Sequence, residues 1–119
     1  MLTNIHVNNT LGIVEATTSG HLTTEKIQAD IDNMMKLSEE NQVFKFLLDA
    51  TGVLTAPTLS ETFQIFASFP RQYKQAVVMK QSQPTAEDAR FIETVAYNRG
   101  ILIRVFETRE AALTWLMED

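Results

Sequence analysis

From Val43 to Leu48 the chain is almost unbroken in apolar character, and it then stops at Asp49-Ala-Thr-Gly52. A short run of Phe, Leu and Val bounded by turn-forming residues predicts a strand over 43–49, buried on both faces as in a parallel sheet. On either side the pattern changes period. Ile5–Val7 and Leu11–Thr17 are short strand candidates, joined by a tight turn at Asn8-Asn9 and closed by Gly20. Ile27, Ile31, Met34 and Met35 then recur at helical spacing behind a Thr23 cap, with Leu22 and Ile27 placed as a hydrophobic staple. Thr58 and Glu61 form a capping-box pair opening a second helix that Pro70 stops. Ala76–Lys80 predicts a strand. Thr85 with Asp88 opens a third helix carrying Ala89, Phe91, Ile92, Val95 and Ala96, and Gly100 suits its left-handed C′ position. Ile101–Phe106 predicts a last strand, and Thr108 caps a last helix bearing Ala111, Ala112, Trp115 and Leu116.

The order β-β-α-β-α-β-α-β-α predicts an α/β fold, a small mixed, mostly parallel sheet with four helices. Right-handed crossovers follow the initial hairpin. No linker, repeat or biased segment interrupts the pattern, so residues 1–119 read as a single domain. A chain of 119 residues, 45% hydrophobic, is long enough to bury one core unaided.

Composition narrows the function classes. Cysteine is absent, which excludes disulfides, thiolate catalysis and cysteine-based zinc sites. Ten basic residues stand against fifteen acidic ones, for a formal charge of −5, and the basic residues are scattered. Nucleic-acid binding, which rewards clustered Lys and Arg, is not expected. No apolar stretch reaches the roughly 18–20 residues of a membrane span. The first residues carry no signal-peptide pattern, so the expected location is the cytoplasm.

His6 and His21 are the only histidines, and neither has a second ligand at metal-binding spacing. There is no nucleophile elbow, Gly-rich phosphate loop or dinucleotide fingerprint. Asp49 and Glu93 could serve as general bases, but no nucleophile stands beside either. The expectation is a non-enzymatic protein without metal or cofactor.

Three pieces of the chain, Gly20-His-Leu-Thr-Thr23, Leu47-Leu-Asp-Ala-Thr-Gly52 and Ile103–Leu116, in this order, resemble the anti-sigma-factor antagonist (STAS) fold. The resemblance leans towards its SpoIIAA-like branch, small proteins related to lipid-binding domains. It implies a phosphoacceptor in the Asp-x-Ser/Thr-Gly element, here Thr51 framed by Asp49 and Gly52, and a kinase-like partner docking beside it. In that family the next helix begins almost at once. Here Val53–Thr58 intervenes, which would remove a phosphate on Thr51 from the helix N-terminus. Read from the residues alone, the element is first an Asx or Ser/Thr turn ending the strand, with Gly52 at positive φ, and after that a phosphoswitch or a ligand-contacting loop.

The second helix is the other candidate site. Phe63, Phe66 and Phe69 are three of seven phenylalanines, and with Leu59 and Ile65 they cover an arc of about 160°. Leu59, Phe63 and Phe66 are expected to face the core, leaving Ile65 and Phe69 on one flank. That stripe reads as a wide core face, as a homodimer contact, or as one wall of an apolar pocket with Leu54 and Met79. The leading expectation is recognition of an apolar, lipid-like small molecule or of a partner's apolar surface through Leu54, Leu59, Phe63, Phe66, Phe69 and Met79. The alternative is a regulatory switch at Thr51. Arg104, inside an apolar strand, is expected to snorkel or to pair with Asp49. Met34 and Met35 are gap-fillers or pocket liners.

Overall fold

In the computed structural model, residues 3–67, 73–83 and 85–118 are described, with Thr3, Leu59, Phe66 and Ala67 described by their backbone alone. The elements follow the order β1 (Thr3–Asn8), β2 (Ile13–His21), α1 (Thr24–Asn41), β3 (Lys45–Thr55), α2 (Leu59–Ala67), β4 (Lys74–Val78), α3 (Ala86–Asn98), β5 (Leu102–Phe106) and α4 (Arg109–Leu116). Strands lie in the order β1-β2-β3-β4-β5. The β1–β2 pair is antiparallel, and every later pair is parallel.

Alternation along the strands sorts the core into two layers. Val14, Phe46, Gln75 and Ile103 are direct neighbours across four strands and face α1, α2 and α3. Ile13, Leu47, Ala76 and Val78 face the other way and pack against Ala112, Trp115 and Leu116 of α4. Both Phe46 and Leu47 are buried, so β3 is covered on both faces as its apolar run implied.

Local chemistry explains most element ends. The Thr23 hydroxyl accepts from the N–H of Lys26 at 3.1 Å and starts α1. At α2, the N–H of Glu61 donates to the Thr58 hydroxyl at 3.2 Å, and that hydroxyl donates to the Glu61 carboxylate at 2.7 Å. Hydrogen bonding of the carboxylate by the Thr58 hydroxyl, and then by the Thr58 backbone, holds the exposed Glu61 carboxyl below its ordinary value. Thr108 caps α4 through the N–H of Ala111. Gly100 takes φ 73° after α3, while the N–H of Ile101 returns to the carbonyl of Ala96 at 2.9 Å.

Four local expectations need correction. The β1–β2 connection runs over residues 9–12 rather than a two-residue turn, and Gly12 supplies its positive φ of 69°. The Asn8 side chain organises this loop by accepting from the N–H of Leu11 at 3.1 Å. Gly20 does not end β2, which runs on to His21 because β3 continues beside it. Thr85 makes no side-chain cap at α3; its backbone is already helical at φ −90° and ψ −1°. Pro70, expected to stop α2, lies outside the described residues.

The fourth correction concerns Asp49-Ala-Thr-Gly52, which is strand and not a turn. β3 runs to Thr55, and its pairing with β2 shifts twice, so that Thr17 and Ser19 oppose Asp49 and Gly52. Three steps on β3 thus match two on β2, which is a β-bulge. Gly52 is not at positive φ. Its lack of a side chain is needed for a different reason: a Cβ there would lie 2.8 Å from the Cβ of Ser19. The bulge lets Ala50 and Val53, three residues apart, join one buried cluster with Val77 and Met79.

Candidate ligand-binding site

β3 pairs with β4 only as far as Asp49 and Val78, so the β4-side carbonyls of the bulge lose their ladder partners. Gln83, in the loop after β4, replaces them. Its Nε2 donates to the carbonyl of Ala50 at 2.9 Å and to that of Val53 at 3.1 Å. Its Oε1 accepts from the N–H of Lys80 at 2.7 Å. The β4–α3 loop is thereby fastened to the bulge, and α3 starts a fixed distance from β3.

Between the sheet and its helices lies a cavity of about 140 Å³. Ile27, Ile31 and Met34 wall it from α1, and Ala89 and Ile92 from α3. Its sheet wall includes Phe46, Leu48 and Ala50 of β3, Gln75 and Val77 of β4 and Met79 just beyond. Short side chains at Ala50 and Ala89 leave the space that aliphatic residues there would fill. The register places Gln75 near the amino-terminal end of β4, between Phe46 and Ile103. The other end lies by Ala56, Pro57 and Thr85, at the carboxyl-terminal end of the parallel strands.

Two polar atoms on this lining are buried without a hydrogen-bond partner: Nε2 of Gln75 and Oγ1 of Thr85. Gln75 retains 3% of its exposure. Asp30 and Asp88 contribute the acidic groups of the lining, and no Lys, Arg or His lines it among the described residues. Asp30 is engaged by Lys26, whose Nζ lies 2.8 Å away.

Of the residues expected to form an apolar site, Met79 lines the cavity. Leu54 does not reach it; it belongs to the exposed tail of β3 and is 54% exposed. Phe63 is half-buried against Ala96, Ile101 and Ile103, with the Arg99 guanidinium 5.1 Å from its ring centroid. The side chains of Leu59 and Phe66, and all of Phe69, lie outside the described residues. Ile65, expected on an open flank, is instead buried in the core with Ile27, Ile31 and Phe46. Met34 lines the cavity, and Met35 packs beside it against the core. The residues that sequence reasoning missed, Gln75, Gln83 and Thr85, are polar residues in or beside strands and loops. Buried unpartnered atoms single out Gln75 and Thr85, and the bonds to two β3 carbonyls single out Gln83; no local pattern announces either.

Thr51 does not line the cavity. Its hydroxyl donates to Oδ1 of Asp49 at 2.7 Å, and its N–H donates to the same oxygen at 3.0 Å. The expected Asp49–Arg104 pair does not form. β4 separates the two strands, and Arg104 instead lies over the rings of Phe106 and Trp115, 5.4 and 5.7 Å from their centroids. Glu93 also has a structural task, accepting the N–H of Val105 on the outermost strand. His21 Nδ1 meets the Thr55 hydroxyl at 2.8 Å, and exposed His6 lies 3.9 Å from Glu15.

Neither the protein-family models nor the curated proteins include a match to this chain. Solved structures do match. An anti-sigma factor antagonist from Mycobacterium paratuberculosis superposes with a TM-score of 0.67 at 13% identity, over 98% of this chain and 94% of that one. An uncharacterised protein of the DUF3478 family with a SpoIIAA-like fold, from Shewanella loihica PV-4, superposes with a TM-score of 0.65 at 16% identity, over 96% and 93%. The element order, the mostly parallel sheet and these superpositions agree on the same architecture, the STAS or SpoIIAA-like fold.

Proposed function

We propose that this SpoIIAA-like fold serves as a non-enzymatic binding module that holds a small apolar molecule between α1, α3 and the sheet. The observation that carries the reading is the cavity of about 140 Å³ with walls mostly of Ile, Leu, Val, Met and Phe side chains. Apolar cavities of about 150 Å³ stay dry and take up a benzene-sized guest. The volume therefore fits a ring or a short chain rather than a complete lipid. Native mass spectrometry of the protein purified from its own host tests the reading. The expected result is an apolar adduct that disappears in Ala89→Leu, whose added carbons occupy the cavity. Protein that carries no adduct and takes up no benzene would overturn it.

A regulatory role through a protein partner is the reading that the likeness to an anti-sigma factor antagonist supports. The geometry around Thr51 gives little support to phosphorylation as its switch. The hydroxyl is half-buried and already committed to Asp49, and a phosphate would place further negative charge beside that carboxylate. No helix among the described residues is long and apolar enough to cross a membrane.

A further inference from the structure

A buried amide without a partner is costly, because its hydrogen bonds to water are lost on folding and nothing replaces them. Gln75 is such a group: 3% exposed, with Nε2 unpartnered, on the wall of the cavity between Phe46 and Ile103. A strand position flanked by two apolar neighbours would be filled at lower cost by Met or Leu. The amide therefore has a use beyond filling its place on the strand.

We infer that the cavity is built for an uncharged apolar molecule carrying one hydrogen-bond acceptor, a carbonyl oxygen, which the Gln75 amide holds at the deep end. The inference rests on the binding role proposed above and specifies its ligand. Three observations set the chemistry. The unpartnered atom of Gln75, its Nε2, is a donor, so a guest held there presents an acceptor. Most of the remaining wall is aliphatic or aromatic, with Ile27, Ile31, Met34, Phe46, Leu48 and Val77 among its residues, so the body of the guest is apolar. The charged side chains on the lining are Asp30, already paired with Lys26, and Asp88, and no cation lines the cavity among the described residues, so a carboxylate would enter uncompensated. The carbonyl leads, because Gln75 sits at the amino-terminal end of β4 and the opposite end of the cavity abuts exposed Ala56.

Acetophenone, ethylbenzene and benzoate separate these elements. The first two differ by a carbonyl against a methylene, and the third exchanges the neutral head for an anion. Titrations followed by heteronuclear NMR of the full chain give both affinity and the Gln75 side-chain amide signal. Acetophenone is expected to bind about tenfold more tightly than ethylbenzene and to shift that amide, with benzoate weakest. In Gln75→Met the two neutral probes should bind alike, and retained ethylbenzene binding shows that the variant is folded. Should the variant fail to fold, the amide shift in the unaltered protein decides. Equal affinities without an amide shift would overturn the carbonyl assignment while leaving the apolar site standing, a buried water then being the partner of Gln75. Preferred binding of benzoate would overturn the neutral head. Failure of all three probes to bind would overturn the binding reading itself.

Discussion

The Thr51 hydroxyl and the Asp49 carboxylate form a closed local pair, with Oγ1 donating to Oδ1 at 2.7 Å inside a bulged strand. The Thr51 N–H shares the same acceptor at 3.0 Å. An Asx-type arrangement of this kind normally turns a chain. Here it stabilises the bulge while β2 keeps the strand extended.

The pair makes Thr51 a poor place for negative charge. Thr51→Val should cost about 1 kcal/mol, the value of one part-buried hydrogen bond. Thr51→Glu should cost about 2 kcal/mol or more, because it adds like charge beside Asp49. Urea unfolding of both variants checks the order. A Thr51→Glu protein as stable as the unaltered one would show that the site accepts charge and would restore the phosphorylation reading.

Gly52 is required by crowding and not by its backbone angle. The contact of 2.8 Å that a Cβ would make with Ser19 involves a side-chain carbon fixed to the neighbouring strand, which has little room to withdraw. Gly52→Ala should therefore destabilise by about 1–3 kcal/mol, as overpacked sites do. Combining it with Ser19→Gly should recover most of the loss, which a double-mutant cycle of unfolding free energies would show.

Gln83 satisfies two carbonyls that the sheet abandons. Gln83→Ala should cost about 1–3 kcal/mol, the penalty of leaving buried acceptors unpaired. Gln83→Glu should be at least as harmful, since a carboxylate cannot donate to either carbonyl. Amide exchange at the start of α3 should accelerate in both, because that loop anchors the helix to β3.

Gln75→Met should move stability the other way. Removing an unpaired buried amide while conserving volume is expected to stabilise the ligand-free protein by about 1 kcal/mol. Thermal unfolding in the absence of ligand checks it. A loss of stability instead would mean that the amide already has a partner inside the protein.

Glu15 ties α4 to the sheet. Both of its oxygens accept from the Arg109 guanidinium, the second from Nη2 at 3.1 Å, and the Asn8 amide donates to it at 2.7 Å. The Arg109 bonds hold its carboxyl below the ordinary value, with burial opposing and Asn8 assisting. A folded-state value below the unfolded one gives a contribution complete above the unfolded value and lost as pH falls through the folded one. Arg109 is half-exposed, so the pair is worth about 1 kcal/mol after screening. Glu15→Gln should lower stability by that amount at about pH 7 and by almost nothing at about pH 3.

What the chain determines by itself is local and periodic. The helix starts at Thr23, Thr58 and Thr108 follow from side chains bonding within one turn, and the glycine after α3 from the angle its C-cap needs. The order of the elements follows from the change of hydrophobic period, and with it the SpoIIAA-like architecture. Tertiary structure decided the rest. Asp49-Ala-Thr-Gly52 has the composition of a turn, yet pairing with β2 and the amide of Gln83 supply the bonds that hold it as strand. Ile65 reads as flank until α1 and the sheet close over it. The cavity has no local signature at all. It is the space left where Ala50 and Ala89 fail to fill the gap between layers, and Gln75 gains its significance by facing that space.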